Sequence, residues 1–427
     1  MLRNPAEVVA FVAERADEGR GGVLTASRKP PINVFVMDLW CYVPYYDRYL
    51  CQSLAGEGIA TILGSVSPYQ DPEYFRRNGV ANDPGLIDLV SKLRISNDNI
   101  RRALMLVECC INMAVLLARF AVSKPDIVHV QWIPMVRRFP FEMWFLSLVR
   151  RMGIKLIYTV HNLLPHDTGQ EFMPLFRRVY AKMDGLICHT EEAKRKLVSE
   201  FSIDPEQIWV IPHGPLFHDA KCHSTKESKA ALSLRPDETV VLCQGIIRPY
   251  KGLDFLLQSW HKVQSKNLNA RLVIAGTGEP DLLEAIKKRV HRLGLQESVR
   301  LDLRFIPDEQ LVMYYEAADV VVYPYREVTA SGALMTAVAF GKSIVATNLP
   351  AFRQVLRDKE TALLVDYDDA EALAGFLTLL IGNPKERERL AANLASSDDF
   401  DSWSSIARRT RQCYASLLRE MRGEAVS

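Results

Sequence analysis

The sequence predicts an α/β protein of two doubly wound parallel sheets. Short β-branched runs alternate with helical stretches along the chain, the alternation stops once and restarts, and 427 residues is too long for one ordinary core. Alternation of this kind implies right-handed crossovers between parallel strands.

The first series places strands at 32–37, 60–63, 126–130, 155–160, 185–188 and 208–211. After a polar interval from about 218 to 237, a second series runs 240–242, 271–275, 299–301, 320–323, 343–346 and 362–365. The interval has no periodicity and is the expected hinge, which divides the chain into domains 1–220 and 221–401. A helix over about 402–427, apolar at Trp403, Ile406, Tyr414, Leu417 and Leu418, is expected to pack back on the first domain. A ligand-sized cleft is expected between the two.

Hydrophobic content of 48% and charged content of 24% are those of a globular chain, and the net charge of +2 carries no signal. Its distribution does, because residues 101–200 hold fifteen Lys and Arg against nine Asp and Glu, with the arginines in pairs: Arg101-Arg102, Arg137-Arg138, Arg150-Arg151 and Arg177-Arg178. No recognition motif accompanies them, so nucleic acid is not an expected partner; an anionic membrane surface is. The segment from Phe139 to Leu146, bracketed by arginine pairs, has the pattern of a helix lying in a membrane interface.

Residues 103–122 approach the length of a membrane span, but Glu108, Asn112 and Arg119 interrupt them on one helical face. That suits a mostly buried helix with a narrow wet stripe. The eight cysteines show no metal-ligand spacing and read as reduced core thiols. The N-terminus, Met1-Leu2-Arg3-Asn4-Pro5, lacks the order of a secretion signal, so the expected location is the cytoplasm, peripheral at the inner face of the membrane.

The chemistry concentrates in the second half. The run 239–244 ends in Gly245, and the loop that follows carries Arg248 and Lys251 to the carboxyl edge of a sheet, where open α/β sheets bind ligands. Two cations there point to a phosphate-bearing substrate. The stretch Tyr325 to Leu334 leaves the strand ending at Tyr323 and enters a small-residue helix at Ser331-Gly332-Ala333, whose unpaired N–H groups suit phosphate oxygens. The duller reading of Arg248 and Lys251, as caps of the helix near Leu253, sets cations at the positive end of a helix dipole.

These stretches resemble the group 1, family 4 glycosyltransferases. The resemblance rests on residues 245–252 for the G-x-x-x-x-x-K-G loop, Val273-Ile274-Ala275-Gly276-Thr277-Gly278, the run 307–324 and Phe340-Gly341-Lys342. It extends more loosely to Thr159-Val160-His161-Asn162 and Ile211-Pro212-His213-Gly214. It implies the GT-B architecture, two Rossmann-like domains facing across a cleft, and transfer of a sugar from a nucleoside diphosphate donor to a hydroxyl acceptor. That acceptor is expected to be a lipid-linked or cell-surface glycan precursor, and the reaction to be retaining, with no metal and no cofactor.

By position the resemblance makes Arg248 and Lys251 the grip on the diphosphate, Glu327 the carboxylate that meets donor hydroxyls, and His161 the acceptor-side wall. Gly245, Ser331, Gly332, Ala333 and Phe305 complete the donor side. His213 is read as structural. Where the family has two glutamates eight positions apart, this chain has Glu327, shifted by one, and Thr336 in place of the second, which removes the usual ribose contact. Sugar-nucleotide epimerisation and non-catalytic nucleotide-sugar binding are the rival readings. In the aromatic loop after the first strand, Trp40, Tyr45 and Tyr46 are candidates to stack on the acceptor, with His166 beside them. Asp366-Tyr367-Asp368 and Asp399-Phe400-Asp401 spell a metal motif of another glycosyltransferase fold, but each precedes a helix and is expected to cap it.

Overall fold

All twelve expected strands form in the computed structural model, within two residues of the predicted limits. The structure describes residues 31–422 apart from 69–70, 84, 91, 94, 96, 138, 165–169, 221–222, 267 and 398–399. The N-terminal Met1-Leu2-Arg3-Asn4-Pro5, Arg138, His166, Cys222 and Asp399 lie outside the described residues.

The chain divides into two compact units, one running to Pro212 and resuming at Ser402, the other from His213 to Asp401. The first is built from β1 (Asn33–Asp38), α1 (Pro44–Gly56), β2 (Ala60–Ser65), α2 (Tyr74–Arg77), α3 (Asp98–Val122), β3 (Ile127–Val130), α4 (Phe141–Arg151), β4 (Lys155–Val160), α5 (Met173–Tyr180), β5 (Gly185–Cys188), α6 (Glu191–Ser199) and β6 (Ile208–Val210). Its sheet is wholly parallel in the order β2-β1-β3-β4-β5-β6. The order reverses between β1 and β3, so the crevice at their carboxyl ends is the topological switch point. Strands β3 to β5 are buried along almost their whole length, as β-branched runs covered on both faces must be.

The second unit contains α7 (Thr225–Ala231), β7 (Thr239–Gln244), α8 (Leu253–Gln264), β8 (Ala270–Ala275), α9 (Pro280–Arg292), β9 (Val299–Asp302), α10 (Asp308–Ala317), β10 (Val320–Tyr323), α11 (Gly332–Ala339), β11 (Ser343–Thr347), β12 (Leu363–Val365), α12 (Ala370–Gly382) and α13 (Pro384–Ala395). Its parallel order is β12-β11-β10-β7-β8-β9, with the switch point between β7 and β10.

The middle of the polar interval expected to be a hinge is α7. Ser224 and Glu227 form a full capping box at its start, and the buried Lys229 ammonium donates to Glu238 O (2.8 Å) and Asp319 Oδ2 (3.1 Å). These bonds tie the segment to the second unit, which begins at His213, ahead of the expected boundary at 220.

The terminal helix α14 (Trp403–Arg422) belongs to the first unit. Trp403 stacks on Tyr49 of α1 with ring centroids 5.5 Å apart, and Tyr414 Oη lies 2.7 Å from His129 Nδ1, whose Nε2 is 2.7 Å from Thr159 Oγ1. Among the described cysteines all seven are free thiols, five of them buried. The expected cap at Asp366 or Asp368 falls one position later: Asp369 accepts from Ala372 N, while Asp366 accepts from Asn348 Nδ2. Ahead of α14 it is the Ser402 hydroxyl that accepts, from Ser405 N.

Helix α3 reverses one expectation. Its polar stripe faces inward: Glu108 accepts from Leu89 N (2.6 Å), Asn112 pairs with both N and O of Ile87 (2.7 and 2.9 Å), and Arg119 reaches both oxygens of Asp83. The irregular segment around Ile87 has no ladder to satisfy its backbone, so these side chains take that role. Cys109, Met113, Leu116 and Phe120 join the core beside this stripe, and a further apolar face is left outward.

Candidate functional site

In the second unit the site forms at the carboxyl ends of β7 and β10. Gly245 leaves β7 with φ +135°, and a β-carbon there would stand 2.6 Å from Lys251 Nζ. Gly276, after β8, has φ +147° and would place a β-carbon 2.0 Å from Gly245 O, so the two loops close on each other only as glycines. A single turn, Pro249–Lys251, then carries Arg248 and Lys251, and Gly252 at φ +64° turns the chain into α8.

Lys251 is buried. Its ammonium donates to Tyr325 Oη (2.7 Å) and lies 4.6 Å above the Tyr325 ring. No carboxylate among the described residues pairs with it. Burial is the main cause that lowers its pKa to about 8; Cys243 opposes the shift and the Arg248 charge adds to it. Arg248 is half-buried. A cation held in protein without a counter-charge is a seat made for an anion.

Helix α11 supplies the other wall. Ser331 caps it by accepting from Leu334 N (3.1 Å), which leaves the first-turn N–H groups of Gly332 and Ala333 without an intrahelical partner. A β-carbon on Gly332 would stand 3.5 Å from His213 Nε2. Burial lowers the His213 pKa to about 4, so a neutral imidazole sits at the positive helix end. Ala333 O accepts from Tyr323 Oη (2.5 Å), and the Tyr315 hydroxyl lies between Gln244 Oε1 at the end of β7 (3.0 Å) and Ala333 O (3.2 Å), with one proton to give to either. These tyrosines lock the helix start against the strand that bears the basic loop.

Thr336 is buried, and its hydroxyl donates to Gly332 O (2.9 Å), so it is used up inside the helix. Glu327 is exposed, and no partner among the described residues holds its carboxylate. Phe305, 36% exposed, follows β9 at the sheet edge, two strands away from β7, and stands apart from the rest.

In the first unit His161 stands at the end of β4. His189 Nδ1 lies 3.0 Å from Ile211 O and so carries a proton; its Nε2 accepts from His161 Nδ1 at 3.2 Å. His161 Nε2 then faces the Gln131 amide at 3.1 Å, whose nitrogen, as placed, finds no partner among the described residues. Turning that amide gives every donor an acceptor with both rings neutral. His161 is thus fixed at both nitrogens.

Of the aromatic candidates, Tyr46 is buried beneath His161, with centroids 4.8 Å apart, and supports the imidazole instead of facing a ligand. Tyr45 packs edge-on against Tyr74. Trp40 stacks with Tyr42, and Tyr42 with Trp132, in a row whose middle ring is 51% exposed. Trp40 also lines a cavity of about 120 Å³ with Leu39, Cys41, Val66, Glu108 and Cys109, and its indole N–H is buried with no acceptor among the described residues. Beneath the loop, Asp38 and Asp47 are fully buried; burial pushes both carboxyls up, Asp38 to about 6, and Asp38 Oδ2 accepts from Val43 N (2.9 Å) to hold the turn.

Sequence reasoning missed His189, Gln131, Tyr42, Trp132, Tyr325 and the position of His213. The first four lie at strand ends of the switch-point crevice, a signal available once the strand order is known. Among the described residues no three His, Cys, Asp or Glu side chains gather as metal ligands.

Paired six-stranded parallel sheets, each with its candidate residues at the switch point, define the GT-B class, and solved structures share that fold. A glycosyltransferase from Rickettsia africae superposes with a TM-score of 0.71 at 16% identity, over 92% of this chain and 100% of its own. The Anabaena protein HepE, solved in complex with UDP and glucose, gives 0.72 at 13%, over 90% and 100%. In sequence, residues 224–396 match the family model "Glycosyl transferases group 1" and residues 46–214 match "Glycosyltransferase Family 4".

The chain belongs to the group 1 glycosyltransferases of GT-B fold. Curated relatives named D-inositol 3-phosphate glycosyltransferase are similar to it. That of Thermomonospora curvata is 27% identical over 62% of this chain and 67% of the relative, and that of a Nocardioides species is 28% identical over 65% of each. The matched region spans about two thirds of the length of these relatives.

Proposed function

We propose that this chain moves a hexose from a nucleoside diphosphate sugar to a hydroxyl of a lipid-linked or cell-surface glycan precursor, without a metal and with retention at the anomeric carbon. The observation that carries the reading is the Lys251 ammonium, buried with no carboxylate partner, beside a glycine loop and the open end of α11.

In the proposed step the acceptor oxygen bonds to the anomeric carbon on the face from which the diphosphate departs, the bond from that carbon to the phosphate oxygen breaks, and the hydroxyl proton passes to the departing oxygen. Arg248 and Lys251 stabilise the charge that develops there, and a fixed cation in a water-poor site does so without reorganisation. Tyr325 aims Lys251, Glu327 receives donor hydroxyls, and His161 bounds the acceptor. With Thr336 turned into its helix, the ribose must be held by backbone or by other side chains.

That HepE was solved with UDP supports a uridine nucleotide as the first donor base to try, and the name of the curated relatives places D-inositol 3-phosphate among the acceptors to try. We place the chain in the cytoplasm, peripheral at the membrane. The test is incubation with a panel of labelled nucleotide sugars, a lipid extract and D-inositol 3-phosphate. Label in an acceptor supports transfer. Interconversion of the free donor would make the chain an epimerase, and binding with no turnover would make it a non-catalytic carrier; either result ends the proposal.

A further inference from the structure

We infer that the outward faces of α3 and α4 form one surface that docks on an anionic lipid bilayer, with both helices in the plane of the headgroups. This gives residues to the peripheral placement proposed above. The exposed positions of α3 are Ile100, Ala103, Leu104, Val107, Ile111, Ala114, Ala118, Ala121 and Val122, a continuous apolar stripe interrupted only by Asn99 and Arg102 at its amino end. Ile100, Val107 and Val122 are 54%, 55% and 90% exposed, values that a core helix does not show. Helix α4 packs beside α3 and repeats the pattern: Phe141, Trp144 and Leu148 recur at helical spacing and are exposed, Trp144 by 59%.

The stripe exists because α3 is apolar on two faces: Cys109, Met113, Leu116 and Phe120 enter the core, and a second set of its apolar residues points out. Glu108, Asn112 and Arg119 are committed to the backbone and carboxylate of the segment around Ile87, which with the core contacts of Cys109, Met113, Leu116 and Phe120 fixes the rotation of the helix and leaves its second, outward apolar face exposed. The same bonds argue against a span, since crossing a bilayer would strip all three of their partners. An apolar face of this length, about 34 Å at 1.5 Å per residue, exceeds the scattered apolar residues of an ordinary surface.

Charge selects the occupant. The only acids on the two helices are Asp98 at the start of α3 and the inward-facing Glu108 and Glu142, whereas Arg102 stands exposed at the amino end of α3 and Arg151 at the carboxyl end of α4, beside Arg150, which pairs with Asp184 (3.5 Å). Apolar stripes closed off by arginine, with a tryptophan at the edge, match the headgroup boundary of an anionic leaflet.

The test is co-sedimentation of the full chain with vesicles of phosphatidylcholine alone or with 30% phosphatidylglycerol (roughly the anionic share that gives a strong surface potential), at low and high salt. No nucleotide sugar is present, so failure here leaves the transfer proposal standing, and failure of the transfer assay leaves this one untouched. The expected result is salt-sensitive binding to the anionic vesicles only. Val107→Glu with Ile111→Glu lowers it by about tenfold or more, as does Arg102→Glu with Arg151→Glu, while the melting temperature holds. Equal binding by wild type and variants, or no binding by wild type, overturns the inference. So does a wild-type dimer that the Val107→Glu, Ile111→Glu variant dissociates, because a second copy would then be what covers the stripe.

Discussion

At Lys251 the cost of burying an ammonium and its proposed use in catalysis have one origin. Because its pKa stands near 8 in the folded chain against 10.5 for a free side chain, the folded state releases this proton first, and folding stability rises as pH climbs from about 8 to 10.5. Donor capture runs the other way, since only the charged form holds a diphosphate. We therefore expect kcat/KM to fall about tenfold per pH unit above about 8 in the free protein, while kcat, which reports the anion-bound state, holds to higher pH. A kcat/KM profile flat to pH 10 would remove Lys251 from the site. The His161–His189 pair makes a different kind of demand. His189 fixes the ring by accepting from Nδ1, so His189→Ala frees His161 to turn without removing it. Loss of up to about 10²-fold in kcat/KM is expected, with partial recovery in His189→Gln, whose amide can still accept. Unchanged kinetics in His189→Ala would show that the orientation of His161 is irrelevant.

Among the elements, strands were legible and rotations were not. Buried parallel strands announce themselves as β-branched runs such as Val320-Val321-Val322-Tyr323, because both faces are covered and no polar residue fits. Helix α3 has the composition of a core or membrane helix, and nothing local reveals that its polar stripe turns inward, since the partners at Asp83, Ile87 and Leu89 belong to a segment without periodicity. The cap before α12 was misplaced by one position for a similar reason: three aspartates lie within four residues, and only the backbone geometry singles out Asp369. The docking of α14 was legible in its apolar spacing, but its anchor was not. His129 is buried neutral between Tyr414 and Thr159, and burial lowers its pKa to about 3. The unfolded chain gains a proton near pH 6.5 that the folded chain refuses, so stability of the first unit declines as pH drops through the window from about 6.5 to 3. Tyr414→Phe leaves His129 Nδ1 buried without a partner and should cost about 1–3 kcal/mol, read as a lower melting temperature of that unit. An unaltered melting temperature would mean that α14 is held by its apolar contacts alone.

For the molecule as a whole, each sheet reverses its strand order once, and that reversal is where open α/β sheets bind ligands. In the second unit the rule and the basic loop coincide: Arg248 and Lys251, read from spacing, follow β7, and Ser331 follows β10, the two strands at the switch point. In the first unit the loop chemistry is aromatic and imidazole, and a sequence does not show which rings will be buried: Tyr46 went inside, while Tyr42 and Trp132 line the open row. The claim on which the account depends is that the buried cation of the second unit is a diphosphate seat. Calorimetric titration of UDP into the wild-type chain and into Lys251→Ala tests it most directly. The account predicts measurable binding by the wild type and a loss of about 10²-fold or more in the variant, with the fold intact by circular dichroism. Equal affinity in the two proteins would contradict it.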